Sequence, residues 1–369
     1  MSDSRLNWLR LSMVRGIGPM LGNRLISACG NIEALWQMST KELPPIDGMG
    51  PQLLTALKNS SRQQAEQLFR QCKTAQINLL CPDDTDWPPM LRSIDDAPLI
   101  LFYRGNAERL SHQPMLAIVG ARHASAEGKL LTRRWSRYFA ERKLAIISGM
   151  AFGIDSSAHG GALEAHGITI AALGCGLQCL NEQQQRQVAA IAKNGCVISE
   201  FRPDQSARPA HFPRRNRLIA ALAQATLVME ADIRSGSLIT ARHAASYGRD
   251  LFAVPGSVLS GNHEGCHQLI RDGAMLLEKA EQLLCEINYH EDGPDKHPHA
   301  DKIYHAADKF EAEILTKMAG QAVHLDLLAE TCSLTLPELS TILLRLELQG
   351  VIERLPGSRY VLAMELSNR

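Results

Sequence analysis

Residues 144–155 read Leu-Ala-Ile-Ile-Ser-Gly-Met-Ala-Phe-Gly-Ile-Asp. A short apolar run of buried-strand type passes through a glycine loop into a helix that continues to His166. Gly149 and Gly153 let the backbone turn sharply and come close to a ligand. Asp155 supplies an oxygen that can cap the helix. Unpaired N–H groups and partial positive charge at the helix start suit a phosphate. Taken alone, the stretch is a glycine turn joining strand to helix. What gives it functional meaning is that its neighbours repeat it.

Across residues 114–285 the pattern recurs as apolar strand, small or polar loop, helix. Strands are expected at 115–119, 144–147, 168–173, 196–198, 227–229 and 251–254, and helices at 126–142, 155–166, 182–193, 214–224, 236–247 and 264–273. Near-continuous apolar strands alternating with amphipathic helices predict a parallel sheet covered on both faces. Such sheets bind ligands beyond the carboxyl ends of their strands. Here those ends carry Gly120-Ala121-Arg122, Ser148-Gly149, Gly174-Cys175-Gly176, Ser199-Glu200, Glu230-Ala231 and Pro255-Gly256, so a ligand rim is expected along one edge.

The flanking regions differ in character. Residues 6–75 read as helical, with two copies of a glycine turn, Gly16-Ile17-Gly18-Pro19 and Gly48-Met49-Gly50-Pro51, each followed by a leucine-bearing helix. The arrangement resembles the helix–hairpin–helix unit, whose turn presents backbone N–H groups to DNA phosphate. A helical bundle that has kept the shape and lost the contact fits equally. Residues 81–106 are a proline-punctuated connector ending in an apolar run that predicts an edge strand. Residues 286–306 are an acidic linker. Its histidines fit a solvated segment better than a metal site. From residue 278 to 313 ten acidic residues face four lysines, a net of −6 that argues against DNA. Residues 310–364 read as three helices and a hairpin, the order of a winged helix. The third helix would ordinarily enter a major groove. This one carries Glu338, Arg345 and Glu347, which favours a protein contact.

The chain of 369 residues is long enough for two or three domains, and 45% hydrophobic with 21% charged residues is ordinary for a globular protein. A formal net charge of +0 leaves nucleic-acid binding to local patches. The polar first residues lack a signal-peptide core, and the longest apolar stretch, 168–177, is too short to span a bilayer. Nine scattered cysteines fit reduced thiols in a cytoplasmic protein.

Local charge is concentrated at 202–217, where Arg202, Arg208, Arg214, Arg215 and Arg217 face Asp204 alone, a net of +4 broken by Phe212 and Pro213. Guanidinium forks suit phosphates, and an aromatic ring can stack on bases. Arginines at a helix start oppose its dipole, which an anionic ligand would offset. Ser235-Gly236-Ser237 opens another helix and reads either as an anion cradle or as a serine cap. The loop at Gly120 lacks the third glycine of a dinucleotide fingerprint, and no P-loop or Gly-x-Ser-x-Gly elbow occurs.

Together with Trp87-Pro88-x-x-Leu91, His211-Phe212-Pro213-x-Arg215-Asn216-Arg217, Ser235-Gly236-Ser237-Leu238-Ile239-Thr240-Ala241 and Phe252-Ala253-Val254-Pro255-Gly256, these segments resemble the DNA-processing protein A (DprA/Smf) family from about residue 5 to 365. The resemblance implies a multidomain α/β protein: a SAM-like helix–hairpin–helix domain over 1–80, an extended Rossmann-like domain over 81–285, the linker 286–306 and a C-terminal winged helix over 307–369. It implies a non-enzymatic, dimeric, cytoplasmic protein without cofactor or metal. Such a protein binds single-stranded DNA in a basic pocket, protects incoming strands and loads the RecA recombinase during natural transformation. Carried over by motif, the DNA-binding residues would be Gly120, Arg122 and Ser125; Ser148, Gly149, Gly153 and Asp155; Phe212, Arg214, Arg215, Asn216 and Arg217; and Ser235, Gly236 and Ser237. Two departures stand out. Ile168 occupies the place of a lysine frequent in the family, and Cys179-Leu180 stands where Tyr-Pro is usual. The competing reading is a nucleotide phosphoribohydrolase on a similar sheet. Its Pro-Gly-Gly-x-Gly-Thr loop is missing, but Glu200 and Glu230 remain as strand-end acids.

Overall fold

A computed structural model describes residues 3–362 apart from 40–41, 112–113, 288, 290–305, 307, 319–321, 333 and 356. Most of the linker, its histidines and the last expected residues of the hairpin lie outside the described residues. The chain divides into two compact units, Met1–Glu291 and Asp292–Arg369.

The first unit is built on one nine-stranded sheet. Its strands are β1 (Asn78–Leu80), β2 (Leu101–Gly105), β3 (Met115–Val119), β4 (Ala145–Ser148), β5 (Thr169–Ala172), β6 (Cys196–Ser199), β7 (Ala225–Val228), β8 (Asp250–Ala253) and β9 (Met275–Leu276). Their order is β1-β2-β6-β5-β4-β3-β7-β8-β9. From β6 to β9 every pairing is parallel. β2 runs antiparallel to both β6 and β1. The six strands expected from the apolar runs lie within a residue or two of their predicted places. β2 is not the edge: β1 covers it. β1 and β9 are too short to show a period in the sequence.

Strand alternation sorts the side chains onto two faces. Ala117, Val119, Ala145, Ile147 and Ile198 point to one face, beneath Leu218, Leu222 and Leu238 of the helices His211–Leu222 and Ser237–Ser246. Leu116, Ile118 and Ile146 point to the other, beneath Trp135, Phe139 and Ala158 of the helices Ala126–Glu141 and Ile154–Glu164. On that same face, towards β1, Phe102, Ala171 and Val197 pack into a core with Leu9, Leu25 and Leu68 of the N-terminal helices. The helical region therefore shares a core with the sheet. Polar ties reinforce the join: Trp8 Nε1 donates to Asp83 at 2.6 Å, Arg5 pairs with Asp84 at 2.8 Å and Asn23 donates to the Ala97 carbonyl at 2.8 Å. The two glycine turns have matching geometry. Gly18 caps the helix Pro19–Cys29 and Gly50 caps Pro51–Lys58, each with proline in the first turn.

The second unit is a winged helix. The helices Lys309–Lys317, Leu325–Thr331 and Leu336–Leu348 pack on a three-stranded sheet ordered β10 (Val323–His324), β12 (Arg359–Leu362), β11 (Ile352–Leu355). Arg345, the one basic residue of the third helix, is paired with the buried Glu311 carboxylate and lies 3.7 Å from Asp308.

Candidate nucleic-acid interface

β3 lies at the point where the strand order reverses, with β4, β5 and β6 to one side and β7, β8 and β9 to the other. Neighbouring loops diverge at such a point and leave a crevice. A cavity of about 420 Å³ sits there. Its lining comes from the loops after β3 (Arg122), β4 (Ala151) and β7 (Glu230, Ser235) and from the helices bearing Asp155 and bearing Phe212 and Arg215.

Arg122 is exposed, and its guanidinium carbon lies 4.9 Å from the centroid of the Phe212 ring. Phe212 packs against Gly174, where an added Cβ would lie 3.0 Å from the ring. A cation beside an aromatic plane at a cavity mouth is thus built from two loops far apart in sequence. Ser125 caps the helix Ala126–Glu141 by accepting from the Gly128 N–H at 2.9 Å. Its hydroxyl donates to Glu230 at 2.6 Å, and the same carboxylate accepts the Ser125 N–H at 2.9 Å. Glu230, a strand-end acid in the sequence, is therefore a clamp on the loop that carries Arg122.

The loop after β4 behaves differently from its sequence reading. Gly153, at φ +80, approaches the carbonyls of Ala121 and Arg122, where a side chain would clash and an L residue would be strained. What it admits is another stretch of backbone. Gly149 likewise makes room for the Arg215 guanidinium, and Gly120 packs under Ile154 and the Glu230 carbonyl. Ser148 is fully buried and donates to the Ile118 carbonyl at 2.7 Å, which removes it from any ligand. Asp155 is not the helix cap. Gly153 holds that position, and the Asp155 carboxylate turns back to accept the Ala151 N–H at 3.3 Å. Burial pushes the Asp155 carboxyl above its usual range, an effect opposed by the nearby Arg215 charge.

The arginine cluster separates into three environments. Arg215 is buried and donates to the carbonyls of Gly149 and Ala172, the latter at 2.8 Å, and to Asn216 Oδ1 at 2.9 Å. Arg217 is buried in an ion pair with Glu200 at 2.5 Å, and also donates to the Asp96 carbonyl. Arg214 is half-exposed and lies 3.5 Å from the same Glu200. The unfavourable meeting of arginines with a helix start is thus relieved by Glu200, inside the protein. The helix also begins at His211, earlier than expected, which moves Arg217 into its second turn. Asp96, set in the proline-rich connector, had no signal in the sequence. Asn216 Nδ2 donates to the Gly236 carbonyl at 3.2 Å, and the Ser235 and Ser237 hydroxyls bond each other at 2.8 Å, so these residues brace adjoining helix starts.

Behind the cavity, His159 is buried against Thr169, Nδ1 to Oγ1 at 2.7 Å. Thr169 spends its proton on the Ile146 carbonyl at 2.9 Å, which assigns the imidazole proton to Nδ1. Burial, with the Arg215 charge, pushes the His159 pKa down to about 3, so the ring is neutral at physiological pH. Among the described residues no cluster of His, Cys, Asp and Glu could hold a metal ion, and no single helix is long and apolar enough to cross a membrane.

Comparison with known proteins agrees with this architecture. Residues 78–288 match the DNA recombination-mediator protein A family, and residues 298–358 match the DprA winged helix domain. Protein Smf of Escherichia coli (strain K12) is 38% identical over 289 residues, covering 75% of this chain and 76% of the relative. The X-ray structure of DNA processing protein A from Streptococcus pneumoniae superposes with a TM-score of 0.64 at 31% identity, over 79% of this chain and 99% of that one. A structure of DNA processing protein A from Helicobacter pylori, concerned with its single-stranded DNA binding mode, gives a TM-score of 0.53 at 28% identity, over 58% and 98% of the two chains. The chain belongs to the DNA recombination-mediator protein A family.

Proposed function

We propose, from this membership, that the chain binds single-stranded DNA along the carboxyl rim of its parallel sheet and passes it to the RecA recombinase as a dimer in the cytoplasm. The reading rests on one observation above all: the exposed Arg122 guanidinium stands over the Phe212 ring at the mouth of the switch-point cavity. A cation suits a backbone phosphate and a ring suits a base, and the pair together suits an unpaired strand. The domain roles follow the same division, with the sheet carrying the DNA site. Loading of RecA, dimerisation and a part in natural transformation rest on the family resemblance.

No chemistry is assigned to the site. The strand-end acids that an enzyme would need are engaged: Glu200 by Arg217 and Arg214, Glu230 by Ser125. Titration with a single-stranded oligonucleotide, the matching duplex and a mononucleotide tests the reading. Affinity is expected in that order, with no base or phosphate released. Tightest binding to the mononucleotide, with turnover, would replace it by the phosphoribohydrolase reading.

A further inference from the structure

Six large apolar side chains of the first unit are exposed among the described residues: Met20, Phe152, Ile233, Val258, Leu259 and Leu276. Four of them stand on loops that follow the carboxyl ends of three strands, β4, β7 and β8. Phe152 (73% exposed) follows β4, Ile233 (52%) follows β7, and Val258 (79%) and Leu259 (94%) follow β8. Arg122 follows β3, between β4 and β7 in the sheet. Backbone hydrogen bonds tie these loops, or the helix starts that follow them, edge to edge. Ile154 N–H donates to Ala121 O at 3.2 Å, Ala121 N–H to Glu230 O at 2.7 Å, and Gly265 N–H to Ala231 O at 2.8 Å. The four strands involved span about 14 Å at ordinary interstrand spacing.

Nothing in packing explains greasy tips on this one rim. Exposed apolar groups so gathered mark a contact surface. Their continuity with the Arg122–Phe212 mouth selects the occupant. We propose that Phe152, Ile233, Val258 and Leu259 form a base-contacting track on both sides of Arg122, with Phe152 as its stacking platform. The inference rests on the single-strand reading and deepens it: phosphates meet the cationic mouth while bases lie on the apolar tips. Every base has an apolar face, so the track is indifferent to sequence.

Because the track carries no charge, it leaves a signature that the arginines do not. Affinity is measured for a thymidine strand and for an abasic strand of equal length, each over a range of salt. The unsubstituted protein is expected to prefer the thymidine strand. Phe152→Ala is expected to weaken thymidine binding about tenfold, the size of one base–aromatic contact, with the salt slope and the abasic affinity unchanged. Val258→Ser with Leu259→Ser is expected to act in the same sense by a smaller factor. Phe152→Trp should retain affinity, and its emission should be quenched by the thymidine strand only. Unchanged thymidine affinity in both apolar variants, with no quenching of Phe152→Trp, overturns the track. Failure of the unsubstituted protein to bind either strand overturns the single-strand reading itself, and is visible before any substitution is made.

Discussion

Arg122 and Arg217 both lie near the carboxyl rim of one sheet, and both read from the sequence as cations awaiting phosphate. The fold gives them opposite work. Arg122 follows β3 at the switch point, where the crevice is open, and its guanidinium meets only an aromatic ring and solvent. Arg217 lies on the β6 side, where Glu200 at the strand end and Asp96 of the connector close over it. An arginine on this rim is therefore available to DNA only where no carboxylate has been provided for it. Arg215 stands between the two: it lines the cavity, yet it is buried and bonded to two backbone carbonyls.

The largest effect expected from this contrast is on stability. Arg217→Ala leaves the Glu200 carboxylate, 3% exposed, with only the half-exposed Arg214, 3.5 Å away, in place of its buried partner. Breaking a buried pair from one side costs about 3–5 kcal/mol. Urea unfolding should register that loss, and Arg217→Met combined with Glu200→Gln should recover a large part of it, because neither charge is then stranded. A loss below about 1 kcal/mol would place Arg217 among ordinary surface charges and dissolve the distinction. Arg122→Ala should do the reverse. Its stability should stay within about 1 kcal/mol, the worth of an exposed cation–π contact. Its affinity for single strands should fall about tenfold whatever the sequence, with a salt slope shallower by roughly 0.7. Unchanged affinity and slope in a folded Arg122→Ala protein would move the strand off this rim.

The same contrast shows what a sequence can disclose. The parallel strands were legible because their apolar runs are buried on both faces, and the helices because they alternate with those runs. Pairings that close through space were not. Nothing near Arg217 in the chain announces Asp96, and nothing near Ser125 announces Glu230, more than a hundred residues away. Composition said that the 202–217 segment is basic, while availability of each charge depends on which loop the fold brings over it. The glycines were misread for the same reason. Gly149 and Gly153 do permit a close approach, but the approaching groups are the Arg215 guanidinium and the backbone at Ala121 and Arg122.

The smallest effect is expected in the second unit, where the rule set by Arg217 applies again. Arg345 is the one cation of the helix that a winged helix would offer to a major groove, and, although exposed, it is paired with the buried Glu311 and lies 3.7 Å from Asp308. The outward face of that helix instead presents Leu344 and Leu348, 58% and 81% exposed, in a unit whose residues from 314 onward carry a net charge of −1. A surface of that kind has few counterions to release to a phosphate backbone and suits a protein partner better. A chain ending after residue 291, the boundary between the two units, should therefore keep its single-strand affinity within a factor of a few and its salt slope unchanged. A tenfold loss, about 1.4 kcal/mol, together with a shallower slope would mean that cations beyond residue 291 touch the strand. The rim would then be only part of the site, and an arginine paired within its own unit would no longer be a guide to what DNA does not reach.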